Sequence, residues 1–220
     1  SYAEGGPEQA VTALNENLDL KIGDYVSFSW KAAADAVNLL GGIDMDITKA
    51  EYAYINAFIT ETVDSTGIPS VHLTGPGPAH LDGVQAVAYS RLRLMDTDMN
   101  RTERQRKVIE AVLEKLKQAD LPTINRLLET VLPQVATSID AGDFLELGKN
   151  AGNYHIVKTE GFPTVYKAAT LGKLGSCLIP NTLESNVTAL HEFLYEDQDY
   201  QNSDRVKEIG GEIIKQALGE

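Results

Sequence analysis

Five of the chain's seven arginines, Arg91, Arg93, Arg101, Arg104 and Arg106, fall within a stretch of sixteen residues. Like charges crowded together repel at a cost set by distance and dielectric. The chain as a whole has 19 Lys and Arg against 32 Asp and Glu, a net charge of −13. Bulk electrostatics therefore gives no reason for the cluster, and its counterpart is either a set of surface salt bridges or a bound anion. Guanidinium groups grip phosphate oxygens two at a time through a planar fork, which suits them to a pyrophosphate.

Residues 101–117 carry a helical pattern, and at about 100° per residue Arg101, Gln105, Val108 and Val112 share a stripe flanked by Arg104, Ile109 and Leu116. The apolar lower turns assign that stripe to the interior. Glu103, Arg106, Lys107, Glu110 and Glu114 form the solvated face, with Glu103–Lys107 and Arg106–Glu110 at pairing distance in sequence. Arg101, Arg104 and Gln105 then stand at the helix N-terminal end on its inward side. Cations are disfavoured there by the helix dipole unless an anion docks among them. Arg91 and Arg93 alternate on an extended segment that could aim both at the same place. Asp98 is open to two readings: an N-cap or ion-pair partner of Arg101, or a carboxylate that orients or deprotonates a substrate inside a cationic pocket.

The elements that must hold these residues alternate between strand and helix. Strand patterns occur at 24–30, 43–47, 71–73, 154–159 and 177–179. Helical patterns occur at 7–18, 32–40, 48–60, 82–89, 101–117, 123–132, 141–150, 183–195 and 204–218. Thr48 with Glu51 makes a capping box. The expectation is an α/β fold, a layered α-β-α sandwich around a central mixed sheet. Its domain would span residues 1–195, followed by a polar connection and C-terminal helix over 196–220.

Other chemistries find no support. The acidic balance, pI near 4.7, argues against nucleic acid as a partner, and no helix-turn-helix is evident. Cys177 alone permits neither an intrachain disulfide nor a cysteine zinc site, and reads as a buried strand thiol. His72, His80, His155 and His191 form no HExxH pair or serine triad, and Gly75-Pro76-Gly77-Pro78 is a turn without the Lys-Ser of a P-loop. There is no apolar run of membrane-spanning length and no signal-peptide pattern at the start.

The stretch from His80 to Arg93 (HLDGVQAVAYSRLR), followed by Asp98-Met99-Asn100-Arg101-Thr102-Glu103-Arg104-Gln105, resembles the signature of the LytR-CpsA-Psr family of cell-envelope proteins. Tyr2 to Glu8 (YAEGGPE), Tyr25-Val26 and Leu39 to Asp44 (LLGGID) resemble that family's upstream segments in order and spacing, so the likeness runs from Tyr2 to about Tyr195. It implies an extracytoplasmic phosphotransferase that moves an anionic glycopolymer, of teichoic acid or capsular polysaccharide type, from a polyprenyl pyrophosphate carrier to peptidoglycan. Arg91, Arg93, Arg101, Arg104 and Gln105 would hold the pyrophosphate; Asp98, Arg93 and Arg101 would be catalytic. A Mg²⁺ cofactor is implied without assignable ligands, and the polyprenyl tail would lie in an apolar tunnel.

The family carries further strands and a "SIPRD" stretch before the Tyr2 segment. The expected sheet is therefore incomplete on its N-terminal side, and its exposed edge would invite pairing with a second copy. The expected location is the outer face of a bacterial membrane, anchored by an N-terminal segment not present in this sequence. Asn38 stands where the family often has Asp, and Glu51 is explained equally by its cap. The alternative function is a binding module that holds a polyprenyl phosphate or anionic glycan without turnover.

Overall fold

The structure, a computed structural model, describes residues 2–93, 98–140, 142–143, 146–147, 150–172 and 175–218, without the side chains of Glu4, Asp98, Ala151 and Leu218. The chain forms two compact units, one of residues 26–159 and the other of residues 1–25 with 160–220.

The first unit is built on helices whose ends are written in the sequence. Ser29 accepts from the Ala32 N–H to open α1 (Trp30–Leu39). Thr48 and Glu51 exchange the two bonds of the expected capping box at the start of α2 (Lys49–Thr66), which stops at Gly67 with φ 69°. Asp82 and Gln85 repeat the device for α3 (Gly83–Arg91). That helix is buried from Gly83 to Tyr89, as an all-round apolar helix must be. A Cβ at Gly83 would sit 1.9 Å from the Ala34 carbonyl oxygen, so only glycine permits this crossing of α3 on α1. Next come α4 (Asp98–Gln118) and α5 (Leu121–Val131), the latter capped by Asp120. The core gathers Val37, Ile43, Ile47, Ile55, Leu81 and Leu92 with the inner face of α3.

Strands β1 (Val26–Phe28) and β4 (Val135–Thr137) form one antiparallel ribbon, β2 (Ile43–Ile47) and β3 (Gly77–Leu81) another. The strand expected at 71–73 is instead irregular chain without a partner strand. The Asn56 side chain takes both backbone groups of Leu73, accepting from its N–H at 2.9 Å and donating to its carbonyl at 3.1 Å. The real strand begins at Gly77-Pro78, which reads as a turn; proline is tolerated in a ribbon edge where no neighbour requires its N–H. Residues 154–159 likewise form no strand; of the helix expected at 141–150, residues 142–143 and 146–147 are helical, and 141, 144–145 and 148–149 lie outside the described residues.

The second unit holds α6 (Tyr2–Leu18), broken at Gly5 and Gly6 with Gly6 at φ 70°, so its regular part starts at Pro7. It also holds the antiparallel ribbon β5 (Tyr166–Leu171) with β6 (Gly175–Pro180), and helices α7 (Leu183–Tyr195) and α8 (Asp204–Leu218). Cys177 is half-buried on β6. Val206 and Ile209 of α8 bury against Leu183 and Val187. The α/β class is as expected, with its strands arranged as three separate two-stranded ribbons among the described residues rather than one mixed sheet.

Across the β2–β3 ribbon, His80 faces Asp44 in register. Its Nδ1–H donates to Asp44 Oδ1 at 2.7 Å and its Nε2–H to the Gly41 carbonyl at 2.8 Å, an arrangement that fits the imidazolium. Gly42, at φ 84°, has no room for a Cβ, which would lie 2.5 Å from His80 Nε2. The Asp44 hydrogen bond raises the His80 pKa above its usual value, opposed weakly by Lys115, whose ammonium lies 3.9 Å from Asp44. A raised folded-state pKa contributes stability fully present below the unfolded value of about 6.5 and lost as pH rises through the folded value. The His80→Gln variant should therefore lose more unfolding free energy, by urea denaturation, near pH 6 than near pH 9.

Candidate functional site

The arginine-rich segment occupies the end of α3, the connection after it and the first turns of α4. Arg91 closes α3. Its Nη1 donates to Thr62 Oγ1 at 2.8 Å, its Nη2 lies 3.3 Å from Glu61 Oε2, and its guanidinium carbon sits 3.8 Å over the Trp30 ring. Burial is the main cause pushing the Arg91 pKa down, opposed by Glu61. Arg93, two residues on, is exposed.

Arg104 has a different place. It is buried at 4% exposure, and its Nη2 donates to the Leu92 carbonyl at 2.6 Å. Its Nη1 lies 3.8 Å from Glu51 Oε1, in a carboxylate that also accepts from the Thr48 N–H and hydroxyl. The buried Tyr89 hydroxyl hydrogen-bonds to the same Glu51; burial first, and Glu51 beside it, push the phenol pKa up and keep it protonated. One guanidinium thus ties α4 to the start of α2 and to the residue between Arg91 and Arg93. Arg101, one turn before Arg104, is half-buried.

This fixes the rotation of α4. The face turned inward carries Arg104, Val108, Ala111 and Val112, while Gln105 and Ile109 are exposed. The sequence count placed Gln105 and Arg101 at the centre of that face; the helix is turned by roughly one position because Arg104 has buried partners to satisfy. Arg106 pairs with Glu103 at 2.6 Å rather than with Glu110, and that ion pair lowers the Glu103 pKa. The Glu103–Lys107 pair forms at 3.9 Å. Asp98 supplies the first residue of α4, and its side chain lies outside the described residues.

Exposed Val26, Phe28 and Trp30 follow one another at alternate positions into the Trp30 ring that Arg91 covers. The sequence reading did not single out this apolar run or the Trp30–Arg91 stack; the alternation of DYVSFSW was its only signal. Among the described residues no three of His, Cys, Asp or Glu converge, and Asn38 Oδ1 accepts from the Gly83 N–H at 2.7 Å.

The LytR_cpsA_psr family model matches residues 1–175. The chain belongs to the LytR-CpsA-Psr family. Its relatives include the polyisoprenyl-teichoic acid–peptidoglycan teichoic acid transferase TagV of Bacillus subtilis, 27% identical over 67% of this chain and 36% of that protein. The transferase TagU of Enterococcus faecalis is 30% identical over 67% of this chain and 44% of that protein. The chain therefore spans less than half the length of either relative. The crystal structure of B. subtilis TagV matches with a TM-score of 0.66 at 23% identity, covering 91% of this chain and 74% of that one. TagT bound to LIIa-WTA matches with a TM-score of 0.59 at 21% identity, covering 100% and 70%. The fold is that of a LytR-CpsA-Psr domain.

Removing one partner of a buried ion pair strands the other. Arg104→Met should cost about 3–5 kcal/mol in urea unfolding, and Arg104→Met with Glu51→Gln should recover a large part of it. Arg106→Ala, at an exposed pair, should stay within about 1 kcal/mol.

Proposed function

We propose that this chain is the arginine-bearing part of an extracytoplasmic phosphotransferase that moves an anionic glycopolymer from a polyprenyl pyrophosphate to peptidoglycan. The observation that carries the reading is the Arg104 tie to Leu92 and Glu51, which holds the segment of Arg91 and Arg93 beside the first turn of α4 where Arg101 stands. In this reading Arg91, Arg93 and Arg101 meet the pyrophosphate oxygens, and Gln105 adds a neutral donor from the exposed side. Arg104 acts by positioning the others rather than by reaching the phosphates, because its guanidinium is buried against protein acceptors.

The acceptor hydroxyl attacks the phosphorus that carries the polymer. The bridging P–O bond breaks, the polyprenyl monophosphate leaves with that oxygen, and the hydroxyl proton passes to a base, the role proposed for Asp98. Little covalent chemistry falls to the protein; alignment and charge neutralisation on the oxygens lower the barrier. Guanidinium groups already in place need no reorganisation as the charge moves. The Mg²⁺ that the family resemblance implies would add to that neutralisation, with its ligands unassigned. The apolar side chains of Val26, Phe28 and Trp30, leading to Arg91, have the character needed by the first isoprenes of the carrier.

The names of TagV and TagU and the wall-teichoic-acid ligand of TagT support teichoic acid as the polymer class. Location outside the membrane follows from the same reading. In the full-length protein, Arg93→Ala and Arg101→Ala should each lower polymer transfer by about a hundredfold or more, the scale seen when one preorganised charge-stabilising donor is removed. Their melting temperatures should match the parent's. A variant transferring at the parent rate would remove that residue from the site.

A further inference from the structure

The second unit contains a cleft of ≈ 610 Å³ between the end of α6 and the chain from α7 onward, lined by His191, Tyr195, Asp197, Tyr200, Asp19 and Lys21 among others. That volume is in the range of small-ligand sites. The proposal for the arginines uses none of these groups.

The cleft is built rather than incidental. Asp19, at φ 52°, accepts from the Tyr200 hydroxyl at 2.5 Å and from the Ser203 N–H and hydroxyl at 3.0 and 2.7 Å, locking its floor. Those bonds outweigh burial and hold the Asp19 carboxyl below the usual range. His191 is buried at 6% exposure and lies flat on Tyr200, with ring centroids 3.7 Å apart and planes within 16°. Its Nε2–H donates to the Leu18 carbonyl at 2.9 Å, so in the neutral ring Nδ1 carries the lone pair and can accept a hydrogen bond. No hydrogen bond to Nδ1 is formed within the described residues, although the ring lines the cleft. Tyr195, 56% exposed, stands at 57° to the His191 ring and makes the second wall of a corner.

The geometry points to a carbohydrate subsite that takes a neutral pyranose of an oligosaccharide. The C–H face of a sugar ring packs flat against an exposed tyrosine by dispersion, and its hydroxyls are donors for acceptors such as His191 Nδ1 and the Asp197 carboxylate. A quaternary ammonium would need open aromatic faces on several sides, and one face of Tyr200 is already covered by His191. This site goes beyond the transfer reading and stands or falls without it.

The test is a ¹⁵N-HSQC titration of the 220-residue chain with cellotetraose and, separately, with N-acetylchitotetraose. The expected result is amide shifts centred on His191, Tyr195 and Tyr200 with a Kd in the millimolar range for at least one sugar. Tyr195→Ala should weaken that binding about tenfold with an unchanged melting temperature, and the exposed-rim variant Asp197→Asn should weaken it several-fold. Absence of shifts with both sugars at about ten times that Kd range, shifts centred elsewhere, or equal binding by both variants would overturn the assignment.

Discussion

The buried guanidinium of Arg104 is the contact on which the arrangement of the first unit turns. Left without partners, a charge at 4% exposure would be costly enough to expel. The Leu92 carbonyl and the Glu51 carboxylate retain it, and in doing so fix three things together: the rotation of α4, the start of α2 and the course of the chain between Arg91 and Arg93. Glu51 has three tasks, capping α2, accepting from Tyr89 and facing Arg104. Disturbing any of them loosens the others.

Contacts of this kind also explain how an acidic chain can hold cations close together. Arg91 is held by Thr62, Glu61 and the Trp30 face, Arg104 by Leu92 and Glu51. The repulsion among neighbours is offset by local acceptors, so that in our proposal Arg91 is held in position before a phosphate arrives. Preorganisation of this kind is what phosphoryl transfer asks of a protein.

Local signals were legible in the sequence. The Thr48–Glu51 box, the Asp82 helix start and the bounds 183–195 and 204–218 follow from caps and apolar spacing within a few residues. Features set by distant partners were not. Leu73 found an asparagine side chain instead of a strand, β3 begins in a Gly-Pro turn pattern, and β5 carries no sharp alternation. Apolar spacing alone centres the inward stripe of α4 on Arg101 and Gln105 with Arg104 at its flank; the partners that draw Arg104 to the centre lie on α2 and after α3, out of reach of a periodicity count. The arginine cluster itself was readable by type and spacing. Its division into Arg104, which positions, and Arg91, Arg93 and Arg101, which face the ligand in our proposal, needed the fold.

The most direct measurement is a crystal structure of the protein with a short-chain polyprenyl pyrophosphate bound. The account predicts phosphate oxygens on the guanidinium groups of Arg93 and Arg101, with Arg104 still donating to the Leu92 carbonyl. A pyrophosphate seated away from residues 91–105, or Arg104 drawn out of the core to hold it, would contradict the account.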